Sequence, residues 1–290
     1  ALMFAADTQN PRARQRLALQ AAGLVKKQKR RGAYRKRRPW RSLPGMLLHF
    51  DGSTRAWFSE ERQPDLITVL EDATREIYYA QLVEEESTRT GMAALREVIE
   101  TKGMFCALYS DPASHFFLTR KAGEEVDWDR VTQVGPALQE LGIKMIPSYS
   151  PQARGREERS FRTWQGRLPQ QLRVRGITTM EKANEFLRQH YIAEFNQRFA
   201  VAAAEKGSAF LTTRWQDLDW IFSVQHERTV NRDNTVVCEN RVFPIGKTRW
   251  RNTLAGCTVV VHELLDGAVA SVTGRMKWPG IRLGICPRRG

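Results

Sequence analysis

The chain has 290 residues, 41% of them hydrophobic and 27% charged, and its 46 Lys and Arg against 32 Asp and Glu leave a net charge of +14. That length can bury a sizeable core, as one large domain with appendages or as two, and the composition excludes disorder throughout. No run approaches the roughly 20 apolar residues of a membrane-spanning helix, so no membrane partner is expected.

The charge is unevenly placed: residues 1–50 hold 13 of the basic residues and one acid, Asp7. Residues 13–25 predict a short Ala/Leu helix closed near Gly23, which reads equally as the end of a helix-turn-helix unit or as an ordinary amphipathic helix. Lys26, Lys27, Lys29, Arg30, Arg31, Arg35, Lys36, Arg37 and Arg38 follow, in a linker running to Pro39 and Pro44. Such a strip displaces counterions from a phosphate backbone, and it lacks the Leu, Trp or Phe stripe that an anionic membrane surface would need. Nucleic acid is the favoured partner; a solvated linker is the blander alternative. Cys106, Cys238, Cys257 and Cys286 form no CxxC pair, so a structural zinc is not expected. Few cysteines and no recognisable signal peptide predict a cytoplasmic protein.

From Met46 the apolar period changes to that of strands, with runs at 46–51, 65–70 and 76–83 that predict a three-stranded antiparallel meander. Met92, Leu95, Val98 and Ile99 fall at helical spacing within 87–103, and Gly103 ends that helix. A fourth strand is predicted at 105–110, a helix at about 129–142 and a fifth strand at 144–149, where Pro147 requires a sheet edge. Helices follow at 152–167, stopped by Leu168-Pro169, and at 178–199. Beyond Trp215 the period returns to two, with turn signals at 232–234 and 266–267, which predicts a small β-barrel. The fold class is α/β: the order of elements is that of a ribonuclease H-like mixed five-stranded sheet with flanking helices, one of several α/β arrangements that the local pattern admits, followed by the small C-terminal barrel. The implied divisions are residues 1–44 (helix remnant and basic linker), 45–205 (catalytic core) and 206–290 (barrel and tail).

Three acids fall where this order would bring them together. Asp51 ends the first strand and Asp111 the fourth, which are neighbours in such a sheet, and Glu158 lies one turn into the helix that would pack over that edge. Moving a phosphoryl group between DNA strands requires two divalent ions bracketing the scissile phosphate, and Mg²⁺ or Mn²⁺ requires hard carboxylate ligands. Arg154, Arg156, Arg159 and Arg162 surround Glu158 and suit phosphate contacts, against the alternative of a solvated face. Asp72 is read as the start of the turn Asp72-Ala73-Thr74-Arg75, His115 as a packing residue, and the Trp residues 164, 215, 220, 250 and 278 as core.

The segment Tyr149-Ser150-Pro151-Gln152-Ala153-Arg154-Gly155-Arg156-Glu157-Glu158 has the Tyr-x-Pro-x-x-x-Gly-x-x-Glu form that resembles retroviral integrases and many insertion-sequence transposases. Its spacing selects Glu158 over Glu157. Asp111-Pro112-Ala113-Ser114-His115-Phe116 resembles the Asp-Asn-Gly-x-x-Phe segment of the same superfamily, departing from it at Pro112 and Ala113. From about Leu17 to Gly267 the chain is similar to the ISNCY group of bacterial DDE-type transposases, Gly176-Ile177-Thr178-Thr179 included. The resemblance implies an integrase-type catalytic core with Asp51, Asp111 and Glu158 as catalytic metal ligands. It also implies nicking of transposon ends, joining of a 3′-hydroxyl to target double-stranded DNA, and a homo-oligomer working on DNA near the nucleoid. A transposase-derived DNA-binding protein without catalysis and a ribonuclease H-like nuclease are the alternatives.

Overall fold

The computed structural model describes Ala22 and residues 39–58, 63–111, 133–147, 151–212, 217–245, 253–272 and 281–282, with 151–160, 270–272 and 281–282 described as backbone only. Apart from Ala22, the expected helix at 13–25 and the basic strip at 26–38 lie outside the described residues. So do residues 112–132, with Pro112, Ala113 and His115, and residues 148–150, Trp215, Trp250, Trp278 and Cys286.

Strands β1 (Leu48–Thr54), β2 (Asp65–Glu71) and β3 (Ile77–Val83) form the expected antiparallel meander. Strands β4 (Ala107–Ser110) and β5 (Lys144–Pro147) add to it in parallel, in the order β3-β2-β1-β4-β5. This is the mixed, ribonuclease H-like sheet that the order of elements predicted, and Pro147 lies on an edge strand as its missing N–H requires. Between β2 and β3 the chain turns through Asp72-Ala73-Thr74, with Arg75 at φ 61°. Asp72 is fully buried there, accepting from the Arg41 N–H at 2.8 Å and lying 2.9 Å from His49 Nε2.

The two faces of the sheet bury different clusters. Leu48, Phe50, Ile67, Val69 and Leu108 face α1 (Thr88–Lys102) and α2 (Val134–Glu140). Helix α1 starts on a capping box between Ser87 and Thr90 and turns in Met92, Leu95, Val98 and Ile99, the stripe read from the sequence. On the opposite face Leu66, Leu70, Ala80 and Leu82 meet α3 (Pro151–Val174), α4 (Met180–Phe186), a π-helical turn (Leu187–Tyr191) and α5 (Ile192–Phe199).

Helix α3 corrects the sequence reading, because it passes through Pro169 instead of stopping before it. A proline inside a helix costs about 3 kcal/mol through its lost hydrogen bond and ring clash. Here Phe161, Trp164, Leu168 and Leu172 form one continuous buried stripe across Pro169, and burying the last two leucines at about 1.5–3 kcal/mol each offsets that cost.

Side-chain amides close the outer edge of the sheet. Asn184 accepts from the Leu82 N–H at 2.7 Å and donates to its carbonyl at 2.8 Å, and Asn196 does the same to Ile77 at 2.8 and 2.9 Å. The outward backbone groups of Ile77 and Leu82 are thereby satisfied within the chain, which hinders edge-to-edge pairing there.

Past residue 205, α6 (Leu218–Ile221) and Phe222 bury into the α1 cluster. Strands β6 (Val224–Thr229), β9 (Thr258–Glu263), β10 (Val269–Val272) and β11 (Ile281–Arg282) form a four-stranded sheet in the order β11-β10-β9-β6. Strands β7 (Thr235–Cys238) and β8 (Arg241–Pro244) form a separate hairpin. Its two-residue turn, Glu239-Asn240, has positive φ at both positions, the geometry that matches strand twist.

Candidate active site

Asp51 and Asp111 follow the last paired positions of β1 and β4. In the parallel pairing of these strands His49 lies opposite Tyr109 and Phe50 opposite Ser110, and Asp51 and Asp111 are the next residues along the two chains. Both acids are half-buried. Side chains alternate along a strand, so Asp51 belongs to the set of His49 and Ser53, and Asp111 to the set of Tyr109. The antiparallel partners of His49, Asp51 and Ser53 are Leu70, Thr68 and Leu66. Leu70 and Leu66 belong to the α3 cluster, so Asp51 stands on the face that α3 covers.

Strand β1 runs further than its sequence pattern implied. Asp51 does not end it; the ladder to β2 continues to Thr54 while the pairing with β4 stops at Phe50. Asp51 is thus held in a continuous ribbon with β2, one residue past the last β1/β4 pair. Its Oδ1 accepts from the Gly52 N–H at 3.0 Å. The Glu86 carboxylate lies against Gly52, in the space a Cβ there would occupy, so a larger residue would displace that side chain.

Beyond Asp51, β1 and α3 run side by side in the same direction. Gln165 donates to Ser53 Oγ at 3.0 Å and accepts from Arg55 at 3.1 Å. Further along, Arg55 and Trp57 share a cavity with Pro169 and Arg173. Glu158 lies on α3, two helical turns before Gln165 and one before Phe161. Arg154, Arg156 and Arg159 fall on the same backbone-only segment, and Arg162 is exposed just after it.

Sequence reasoning missed the Ser53-Gln165-Arg55 link, because nothing local to Gln165 marks it; the sign was its spacing of seven from Glu158, close to two turns. It also missed a grouping in the C-terminal sheet, where His226, Glu239 and Glu263 bring ligand atoms within 4.8 Å of one another. There Arg89 pairs with Glu263 at 2.6 Å, and His226 Nε2 lies 3.8 Å from the same carboxylate. Trp164 is core as expected, and Trp220 is half-buried with its ring edge-on to His262 at 4.9 Å.

The order and directions of the five strands define a ribonuclease H-like sheet. In sequence the chain is 30% identical over 262 residues to the putative transposase y4bF of Sinorhizobium fredii, an alignment that covers 89% of this chain and 56% of that protein. It is 33% identical over 162 residues to the transposase for insertion sequence IS1202 of Streptococcus pneumoniae, covering 56% of this chain and 34% of that protein. The chain is therefore transposase/integrase-like, and it spans about half or less of the length of these relatives. No family model matches it. Among solved structures it is similar to the HTLV-2 integrase catalytic core domain in complex with magnesium, at 14% identity and a TM-score of 0.37 over 49% of this chain and 82% of that one. It is also similar to a chain of the simian T-cell lymphotropic virus intasome in complex with the PP2A regulatory subunit B56 gamma, at 11% identity and a TM-score of 0.43 over 97% of both. Among the described residues, no helix is long and apolar enough to cross a membrane.

Proposed function

We propose that this chain is the catalytic part of a DDE-type transposase of the ISNCY group, nicking transposon-end DNA and joining the freed 3′-hydroxyl to target DNA. The observation that supports the reading is the β1/β4 register as far as Phe50 and Ser110, after which Asp51 and Asp111 come next on the two strands, with Asp51 on the face covered by α3. The course of α3 supports the third ligand. Going back from the Ser53–Gln165 contact, Asp51 is about 7 Å down the strand and Glu158 about 10 Å down the helix, at ordinary rises of 3.3 and 1.5 Å per residue. The two therefore approach the same end of the site.

The donor set fits hard divalent cations, being composed of carboxylate oxygens. Asp51, Asp111 and Glu158 would hold two Mg²⁺ or Mn²⁺, which supply charge neutralisation at the scissile phosphate and a clamp on the attacking and leaving oxygens. The protein's own work is positioning: the Ser53–Gln165 contact holds β1 against α3. Arg154, Arg156, Arg159 and Arg162, with the basic strip from Lys26 to Arg38, bind the phosphate backbone of transposon-end and target DNA. In this reading residues 45–205 are the catalytic core, residues 206–290 close into a small barrel, and the protein acts as a homo-oligomer on DNA at the nucleoid.

The test incubates the chain with Mg²⁺ or Mn²⁺, labelled DNA from the ends of its own element and a target plasmid, beside Glu158→Gln. Nicking and joining should vanish in the variant while DNA binding stays nearly unchanged. Equal joining by both proteins overturns the ligand assignment; binding without joining by the wild type selects a non-catalytic DNA-binding protein; cleavage confined to RNA–DNA hybrids selects a nuclease.

A further inference from the structure

Where β1 leaves the sheet and α3 ends, the chain encloses a cavity of about 370 Å³ lined by Arg55, Trp57, Phe58, Pro169, Arg173 and Thr178, among others. Two guanidinium groups stand at its wall, both on exposed residues, and no acid is among the described lining residues. The wall is backed in advance: Trp57 is buried behind half-buried Phe58, and its Nε1–H donates to the Pro64 carbonyl at 3.0 Å. Arg55 is oriented by Gln165, the residue that also holds Ser53 on the strand bearing Asp51. None of these residues takes part in the phosphoryl transfer derived above.

We propose that this cavity seats one unpaired nucleotide of the DNA strand that leaves the active site, with its base against the Phe58 and Pro169 wall and its phosphate held by Arg55 and Arg173. The inference rests on the transposase reading and adds to it a subsite. Paired guanidiniums are suited to phosphate oxygens, and an aromatic surface beside a cationic rim is how proteins bind single-stranded nucleic acid. The volume matches one nucleotide, while a base in intact duplex keeps its faces stacked and cannot enter a concave site. Because Trp57 and Arg55 are held by hydrogen bonds before any ligand arrives, little ordering is needed on binding. Position along the fold fixes which nucleotide is held. Arg55 is four residues from Asp51, about 13 Å of strand at 3.3 Å per residue, which corresponds to about four nucleotides at 3.4 Å each.

The experiment uses the full chain and a DNA duplex with a short single-stranded tail, carrying 2-aminopurine at one tail position at a time. Wild type should change the probe's emission strongly at a single position, a few nucleotides from the junction. The exposed double substitution Arg55→Gln with Arg173→Gln should erase that signal and weaken binding of the tailed DNA about tenfold, with an unchanged circular dichroism spectrum. Retained signal and affinity in the double variant overturn the proposal. So does a signal equal at all tail positions, or an affinity loss that is the same for blunt duplex, since both describe general attraction to phosphate. Glu158→Gln, run alongside, should keep the signal and lose joining. If it joins DNA like the wild type, the catalytic assignment falls while the result at the cavity stands by itself.

Discussion

Replacing Trp164 tests how α3 is held against the sheet. Its side chain is fully buried, stacked on Phe195 with ring centroids 4.9 Å apart and edge-on to Tyr191 at 5.0 Å. A buried Trp removes about 150–250 Å² from water, so at about 25 cal/mol per Å² its truncation to Ala forfeits about 4–6 kcal/mol as an upper bound. Buried Trp or Phe to Ala changes cost about 3–5 kcal/mol, and we expect Trp164→Ala to fall in that range. Trp164→Phe should behave very differently. Its Nε1–H is buried without a hydrogen-bond partner among the described residues, a condition that costs about 1–3 kcal/mol. Phe removes that cost while keeping one ring against Phe195, so the two effects should cancel to within about 1 kcal/mol. Urea unfolding followed by far-ultraviolet circular dichroism is the assay, because the chain's eight Trp residues make fluorescence ambiguous. A Phe variant as unstable as the Ala variant would refute the reasoning, since it would mean that the indole N–H has a partner worth keeping.

Burial pushes the Glu71 carboxyl from its ordinary 4.5 up to about 7, against the opposing backbone N–H groups of Gly45 and Ala73. A raised carboxyl favours the protonated folded state. Its contribution is complete below pH 4.5 and is lost as pH rises through 7, by about 3 kcal/mol. Wild type should lose that much stability relative to Glu71→Gln between these pH values, with a constant gap above pH 8; urea unfolding across that range showing a pH-independent gap contradicts it. Asn184→Ala and Asn196→Ala each remove two hydrogen bonds from the β3 edge and should cost about 1–3 kcal/mol. Hydrogen exchange should then accelerate at the Leu82 and Ile77 amides respectively, and unchanged protection at both would show that the edge is held by something else.

Sequence alone determined the elements whose signals are local. The apolar runs at 46–51 and 65–70, the helical spacing of Met92 through Ile99 and the proline at 147 each report a burial pattern that one segment carries by itself, and the structure has them in place. It also singled out Asp51, Asp111 and Glu158, since a motif is a local object. Tertiary structure decided what depends on a partner far away in the chain. Whether Pro169 ends α3 was settled by the core against which Leu168 and Leu172 pack, and propensity at the proline carries no record of that core. Whether Asp51 ends β1 was settled by two neighbours of unequal length, β2 continuing to pair where β4 has stopped. The amide clamps on β3 and the Gln165 link between Ser53 and Arg55 join residues 102 to 119 positions apart, and only the folded chain shows that a side chain without local signature reaches across.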